Sequence, residues 1–506
     1  MYVFMYIFGC RLSSSLSDFP HYKITKNRRR TLAHRYHDAC SSTSGRVCMS
    51  RFKPIKRDMH YLFPPSMHDW LPEHHLARFI VEIVEQLDVT PMECAYGTSG
   101  SAPFHPTLLL SILVYGYATG VFSSRKLEHA TYDSVAFRFV AADQHPDHDT
   151  LNTFRTRFLK EIEGLMVQVL MIARTMGVLK LGNIALDGSK LKANASKHSA
   201  LSYGHIKKLE EQLPGDVTKR MALAEAADND TIPDGMNLPD EIARREDRLK
   251  AITAAKIKIE ARAKERFEHE HADYQAKLAK REATAKQGRK RARGTRPVPP
   301  IAGARDKDQI NLTDEESRIM KVAGGGFEQC YNAQIAVDLD RLLIVTTDTV
   351  QACNDKQQVA PILTQLKALP VELGQPVHLV ADTGYFSEAN VKACGEQALT
   401  PLIAMKREAH HPDPLARFTD PPPLKEDATE VETMRHVLLT MAGRALDAKR
   451  TCTVEPVIGI IKTIWGFRQC SLRGLAHVTG EWNLVAMAWN LKRMFVLAGS
   501  CRAATA

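Results

Sequence analysis

The chain has 506 residues, 44% of them hydrophobic and 25% charged, the figures of an ordinary globular protein with room for about two or three domains. A disordered or fibrous chain is excluded. Lys and Arg number 68 against 58 Asp and Glu, a formal net charge of +10. Such a surplus suits a polyanionic partner, nucleic acid foremost, although a ribosome-associated or membrane-surface protein would also carry it.

The ten cysteines are scattered and form no CxxC pair. Neither a zinc site nor a disulfide framework is expected, and the thiols read as reduced and cytosolic. The most apolar stretch, LLLSILVYGYATGVF over 108–122, is too short for a membrane span and contains Ser, Tyr and Thr. The opening MYVFMYIFG lacks a leading basic region and a small-residue cleavage site, which argues against a signal peptide.

Residues 1–48 mix Ser-rich pieces with a basic knot (Lys26, Arg28, Arg29, Arg30) and show no sustained period. They read as a disordered extension ahead of a natural start at Met49, with a basic DNA-binding arm as the alternative. From Asp69 to Lys180 the periodicity predicts helices. Leu76, Phe79, Ile80, Ile83 and Val84 fall at helical spacing. Pro106 starts the next helix, through Leu108 to Tyr117, and Ser123 caps another. Asp149 or Thr150 caps a long one through Phe154, Phe158, Ile162, Met166 and Leu170.

The period then changes. Ile184 to Asp187 is a short apolar run ended by Asp-Gly, read as a buried strand and a turn. Residues 334–337 and 342–347 flank the acidic turn 338–341 as a hairpin. Residues 377–381 form a strand stopped at Asp382, and 401–404 another. Helices are predicted over 354–369, 387–398, 454–465 and 481–496. This alternation argues for an α/β sheet domain. More than 130 residues separate the first strand from the hairpin. Within them, 241–287 has no Gly or Pro and alternates charges, the pattern of a long exposed helix or coiled-coil arm. It runs into a basic stretch, 286–297, and 412–430 is a Pro-rich acidic loop.

Asp187 and Asp382 stand at strand ends, and Glu455 opens an amphipathic helix. Phosphodiester chemistry needs an attacking oxygen made nucleophilic and a leaving oxygen stabilised; two divalent ions about 3.5–4 Å apart do both. Mg²⁺ (or Mn²⁺) is a hard cation that prefers carboxylate oxygen. One carboxylate bridging the ions and one on each flank suffice. Singly, each acid also fits a plainer role: Asp before Gly forms turns, and Glu favours a helix N-terminus.

Longer text points the same way. HPTLLLSILVYGYATGVFSSRKLEHATYDSVAFRFVAADQHPDHDTLNTFRTRF, ALDGSKLKANASKHSALSYGH, YNAQIAVD, CNDKQQVAPIL, VADTGYFSEANV and TVEPVIGIIK, then GFRQCSLRGL and GEWNLVAMAWNLKRM, all resemble bacterial insertion-sequence transposases with a DDE site. The superfamily is the insertion-sequence-4/5-like one, and the insertion-sequence-1182 group is the best likeness, from Met49 to about Leu497.

That resemblance implies an α/β fold with a ribonuclease-H-like catalytic core, an all-helical N-terminal domain and a long helical insertion. It divides the chain into the extension 1–48, a helical DNA-binding domain 49–180, a core over 181–196 and 326–498, and a coiled basic insertion 197–325. It makes Asp187, Asp382 and Glu455 the catalytic acids and the ligands of two Mg²⁺ or Mn²⁺ ions. Its partners are double-stranded DNA with terminal inverted repeats and a target DNA, held by a homodimer in the bacterial cytoplasm. A copy that binds DNA without cutting it is the alternative, and a nuclease of the same fold a third reading.

Members of the superfamily carry a Tyr and an Arg ahead of the Glu and a Lys seven after it. Lys462 fits the last, two helical turns from Glu455, and Arg450 serves as the Arg; both are candidates for binding DNA, Lys462 at a phosphate. Asp447 stands where the Tyr is expected, and Ile458 where an aromatic is usual. Lys190, Lys192 and Asn194 are candidates for gripping the scissile strand, and Arg468 for clamping a base with Trp465, although burial of Trp465 is the favoured reading. Asp338 and Asp340 read as turn acids, His378 as a core residue, and HPDHD (145–149) as a loop with a helix cap.

Overall fold

The computed structural model describes residues 69, 71–97, 100–212, 238–286, 296–405, 419–424 and 427–505. The expected extension lies outside the described residues, as do most of the basic stretch 286–297 and much of the Pro-rich loop. The chain forms two units: one runs to Leu179 and takes the residues from Met487 on, the other is Lys180–Ala486.

The first unit is helical: α1 Leu76–Val84, α2 Thr90–Cys94, α3 Pro106–Ala118, α4 Ser124–Asp133, α5 Val135–Val140, α6 His148–Arg157 and α7 Leu159–Thr175. All thirteen residues of α3 are buried. A helix apolar on every side belongs at the centre of its domain, which is where the most apolar stretch of the sequence goes. No described helix is long and apolar enough to cross a membrane.

The single long helix expected from Asp149 is two. Phe158, at φ −110° and ψ 33°, leaves helical geometry between α6 and α7. Its ring is buried against Phe154 and Tyr96, and the Arg157 guanidinium lies 5.0 Å from the Tyr96 ring and 5.1 Å from that of Phe158. The cap is Asp147, whose carboxylate accepts from Thr150 N at 2.6 Å. His148 Nδ1 lies 2.7 Å from Glu128 Oε2, so the HPDHD loop is occupied by a cap and an ion pair.

The second unit holds the sheet. Its strands are β1 Asn183–Lys192, β2 Ala200–Ser202, β3 Gln309–Asn311, β4 Arg318–Lys321, β5 Phe327–Asp338, β6 Ile344–Val350, β7 His378–Ala381 and β8 Thr400–Ile403. A six-stranded mixed sheet runs β4–β5–β1–β7–β8, with β6 also on β5, while β2 and β3 pair separately. β1 is antiparallel to β5 and parallel to β7, which is parallel to β8. Ile184, Ala185 and Leu186 are fully buried at the centre.

The Asp-Gly pair expected to end the first strand lies inside it. β1 continues to Lys192, its register with β5 unbroken from Ile184 opposite Asp338 to Lys192 opposite Cys330. Gly188 serves close packing here: a Cβ on it would stand 2.4 Å from Gln334 Nε2 and 3.0 Å from Asp355 Oδ1. The hairpin of β5 and β6 forms as expected, and Asp338 Oδ2 accepts from the backbone N–H of Asp340 and Arg341 in its turn.

A helix over 203–212 (α8) and the 49-residue α9, Leu238–Lys286, follow β2. The foot of α9 is held by an apolar cluster of Ile206, Ile252, Ala255, Ile259 and Ile310. The remaining helices are α10 Val359–Ala368, α11 Glu388–Glu396, α12 Glu430–Leu439, α13 Met441–Thr451, α14 Val454–Gly459 and α15 Leu475–Thr505. Helices α12 and α13 have no counterpart in the periodicity reading. The helix expected over 454–465 is α-helical only to Gly459 and then makes a π turn, Ile460–Ile464. Trp465 after it is buried. Helix α15 enters the first unit at Met487, where Lys492 Nζ donates to Ala118 O at 2.7 Å and the Phe495 ring lies 5.7 Å from that of Phe79.

Candidate active site

Strand register places two of the acids. β1 and β7 run parallel, and their last register pair is Leu186 with Ala381. Asp187 and Asp382 are the next residues after that pair, so the two acids follow neighbouring strands whose backbones lie about 4.8 Å apart. Asp382 turns out of the strand and caps the short 3₁₀ turn Thr383–Tyr385, accepting from Gly384 N at 2.8 Å. Asp187 Oδ1 accepts from Gly188 N at 2.8 Å.

Glu455 lies in the first turn of α14, which packs on β1 and β5. The Asp187 carboxyl is pushed up to about 6: burial raises it first, the Gly188 N–H pulls it down, Asp382 raises it, Arg450 lowers it and Glu455 raises it. Asp187 therefore feels both other acids. Glu455 itself is exposed and tied to Arg450, with Nη1–Oε1 at 3.2 Å. Among the described residues no three His, Cys, Asp or Glu side chains are drawn close enough together to hold a metal ion.

Three of the basic candidates, Lys190, Lys192 and Lys462, lie on or against the far half of β1. Lys190 Nζ lies 3.6 Å from Asp355 Oδ1, and Lys192 Nζ lies 3.5 Å from Glu328 Oε1. Lys462, half-buried, donates to Ser189 Oγ and to Lys190 O, both at 2.9 Å. Its ammonium is held below its usual pKa range, by burial first. Lys462 lies within the π turn Ile460–Ile464 and reaches β1 through these two bonds, the strand that also carries Asp187, which Glu455 perturbs. Arg468 is exposed, with Nε on Lys462 O at 2.9 Å. Arg450, besides Glu455, faces Asp447 at 3.6 Å. The Asp at the expected Tyr position is thus matched by a cation. Asn194 Nδ2 donates to Ser471 O, and His378 Nδ1 lies 2.8 Å from Asn183 Oδ1, a bond between β7 and β1.

Residues 284–491 match the family model described as Transposase DDE domain, and residues 65–157 match Transposase domain (DUF772). The chain carries a transposase DDE domain. Such domains define a family of nucleases and strand transferases, so the chain is an enzyme of DNA transposition. The DDE match takes in Asp382 and Glu455 and begins beyond Asp187; the DUF772 match falls within the helical first unit. No curated protein and no solved structure is matched.

The transposase also has a polar network behind its acids that periodicity did not reveal. Tyr385, fully buried, donates its hydroxyl to Gln334 Oε1. Gln334 Nε2 and Asn332 Nδ2 both donate to Asp355 Oδ1, at 2.8 and 2.7 Å. Burial first, then Asp355, Asp187 and Asp382, raise the Tyr385 phenol far above its usual range. The signal was present in YNAQIAVD, where Asn and Gln interrupt a strand that is otherwise apolar. Buried amides need partners: both NH2 groups find Asp355 and Gln334 Oε1 finds Tyr385, while Asn332 Oδ1 has no partner among the described residues.

Proposed function

We propose that the chain cuts and joins DNA at the ends of an insertion sequence by metal-dependent phosphoryl transfer, with Asp187, Asp382 and Glu455 as catalytic acids. The observation that carries the reading is the adjacency of Asp187 and Asp382, one residue past the register pair Leu186–Ala381, with Glu455 close enough to perturb Asp187. The sheet order supports a ribonuclease-H-like core. The first acid is on the central first strand, the second follows the fourth strand counted β1, β5, β6, β7, and the third is on a later helix. The motifs quoted above support the insertion-sequence-1182 group.

The donor chemistry suits two hard divalent ions such as Mg²⁺ or Mn²⁺. All three candidate ligands are carboxylates, and Asp187 bears a half-buried negative charge that its neighbours oppose. When bound, the ions would supply activation of the attacking oxygen and stabilisation of the leaving one. The protein's part is placement. Strand ends fix the two aspartates, and Arg450 holds Glu455 aside until that carboxylate is needed. Lys190, Lys192 and Arg468 would meet the phosphates, giving strongly salt-dependent binding. Lys462 would brace β1 beneath them. Water opens the end of the element, and the freed 3′-hydroxyl attacks the target phosphodiester.

In this reading residues 49–180 bind the terminal inverted repeats, 181–196 with 326–498 form the catalytic core, and 197–325 form a basic insertion. Two copies act together on DNA in the bacterial cytoplasm. Asp187→Asn is expected to cut Mg²⁺-dependent nicking of an end-containing duplex on the order of a thousandfold, about 4 kcal/mol of barrier, with end binding kept. Nicking at the wild-type rate in that variant refutes the assignment.

A further inference from the structure

A cavity of about 500 Å³ lies at the foot of α9, between that helix and the β3 and β4 region. Its wall carries Arg262, Arg266, Lys307 and Arg318 against Glu265 and Asp308, an excess of positive charge. Arg266 is matched by Asp308, with Nη1–Oδ1 at 2.8 Å and Nη2–Oδ2 at 2.9 Å. Among the described residues the other two arginines have no such match. Arg318 is held by neutral oxygens only: its Nη1 donates to the carbonyls of Glu315, Glu316 and Ser317, and its Nη2 to Gln351 Oε1 at 2.8 Å. Arg262 Nη2 donates to Glu315 O at 2.8 Å, and its Nη1 is buried without a hydrogen-bond partner among the described residues.

Among the described residues, two guanidiniums thus sit side by side with no carboxylate bonded to either. Arg318 feels this: its pKa is lowered by burial first and by Arg262 next. Like charges held together, with a donor left over, are stabilised by an anion that accepts several N–H bonds. Phosphate has that geometry.

We propose that this cavity binds a backbone phosphate of the DNA on which the enzyme acts, a proposal that rests on the transposition reading above. Distance favours DNA over a small free anion. Gln329 lines the cavity, and Ile335, six residues further along β5, is the register partner of Asp187. Six residues of strand span about 20 Å, roughly the length of six base pairs of duplex. A duplex with one phosphate at the acids brings others within reach of the cavity.

The test is Arg262→Gln in the full chain, with Arg262→Lys as the charge-keeping variant and Lys277→Gln, exposed on α9 and away from the cavity, as the charge-matched control. Binding of a duplex carrying the DNA that flanks the reading frame is followed by anisotropy from about 50 to 200 mM salt. Arg262→Gln is expected to weaken binding about five- to tenfold and to lower the slope of log K against log salt by about one, while Lys277→Gln changes neither. Arg262→Lys is expected to restore the slope. Equal losses in Arg262→Gln and Lys277→Gln, or no loss in either, overturn the proposal. Melting in inorganic phosphate separates the sources. Stabilisation of the wild type but not of Arg262→Gln, with equal duplex affinity, makes the cavity a free-phosphate site and overturns the DNA assignment. A wild-type chain that binds no duplex sinks the transposition reading itself.

Discussion

Arg450 holds Glu455 from the end of the preceding helix, its Nη1 3.2 Å from Oε1, while its Nε faces Asp447 at 3.6 Å. One guanidinium therefore serves two carboxylates of its own segment and lowers the pKa of a third, Asp187. A fixed cation beside candidate metal ligands competes with the metal for them.

Replacing Arg450 by Ala is expected to lower the Mg²⁺ or Mn²⁺ concentration that half-stabilises the protein against heat by severalfold, and to slow nicking at saturating metal. Arg450→Lys should fall between. A metal midpoint that stays put or rises in Arg450→Ala would show that the guanidinium is not competing for these carboxylates.

Gly188→Ala tests the packing behind Asp187. Its new methyl would arrive 2.4 Å from Gln334 Nε2. That amide cannot yield freely, because Asp355 and Tyr385 both hold Gln334. The expected cost is about 1–3 kcal/mol in urea unfolding, with nicking reduced further than stability alone explains. Wild-type stability would mean that the network is loose.

Asp338 predicts a pH effect away from the acids. It is fully buried, and burial pushes its carboxyl up to about 6 even though the N–H groups of Arg341 and Asp340 bond to it. The fold thus favours the protonated form. Its contribution is most favourable below the unfolded value of 3.8, declines as pH rises, and has reached its floor above about 6. The difference is at most about 3 kcal/mol. Asp338→Asn should therefore be more stable than the wild type at pH 7.5, by a margin that shrinks toward pH 5. A margin that grows on acidification would contradict the assignment.

Ile259 anchors the long helix to its own small cluster, apart from the sheet. Ile259→Ala is expected to cost about 2–4 kcal/mol locally. Amide exchange should quicken over 250–265 and 203–212, while β1 and β7 keep their protection. Faster exchange in β1 would place the cluster and the sheet in one cooperative unit.

The sequence made the strands around the acids legible because each is a short apolar run that stops at a polar residue. The long α9 was legible from its charges and its freedom from Gly and Pro. Other features were not. The Asp187-Gly188 pair reads locally as a turn, and only Gln334, 146 positions away and opposite it in the sheet, explains why glycine continues the strand. The break at Phe158 goes with an aromatic contact to Tyr96, 62 positions away, and the π turn before Trp465 leaves no trace in the apolar spacing. The basic residues could be named, but not that Lys462 would be engaged by Ser189, 273 positions away. Chemistry carried by one residue type shows in the text of a chain; chemistry carried by pairs distant along it does not.

The last helix has a consequence for biosynthesis. Residues from Met487 on belong with helices made before Leu179, so about 300 residues separate the two parts of one unit. At about 5–20 residues per second, ribosomes need roughly 15–60 s to cross that interval. Until then the early helices emerge without the segment that supplies Lys492 and Phe495, and nascent chains are exposed to chaperones and proteases with that unit unfinished. A product that stops short of Met487 would lack part of its N-terminal unit as well as its tail.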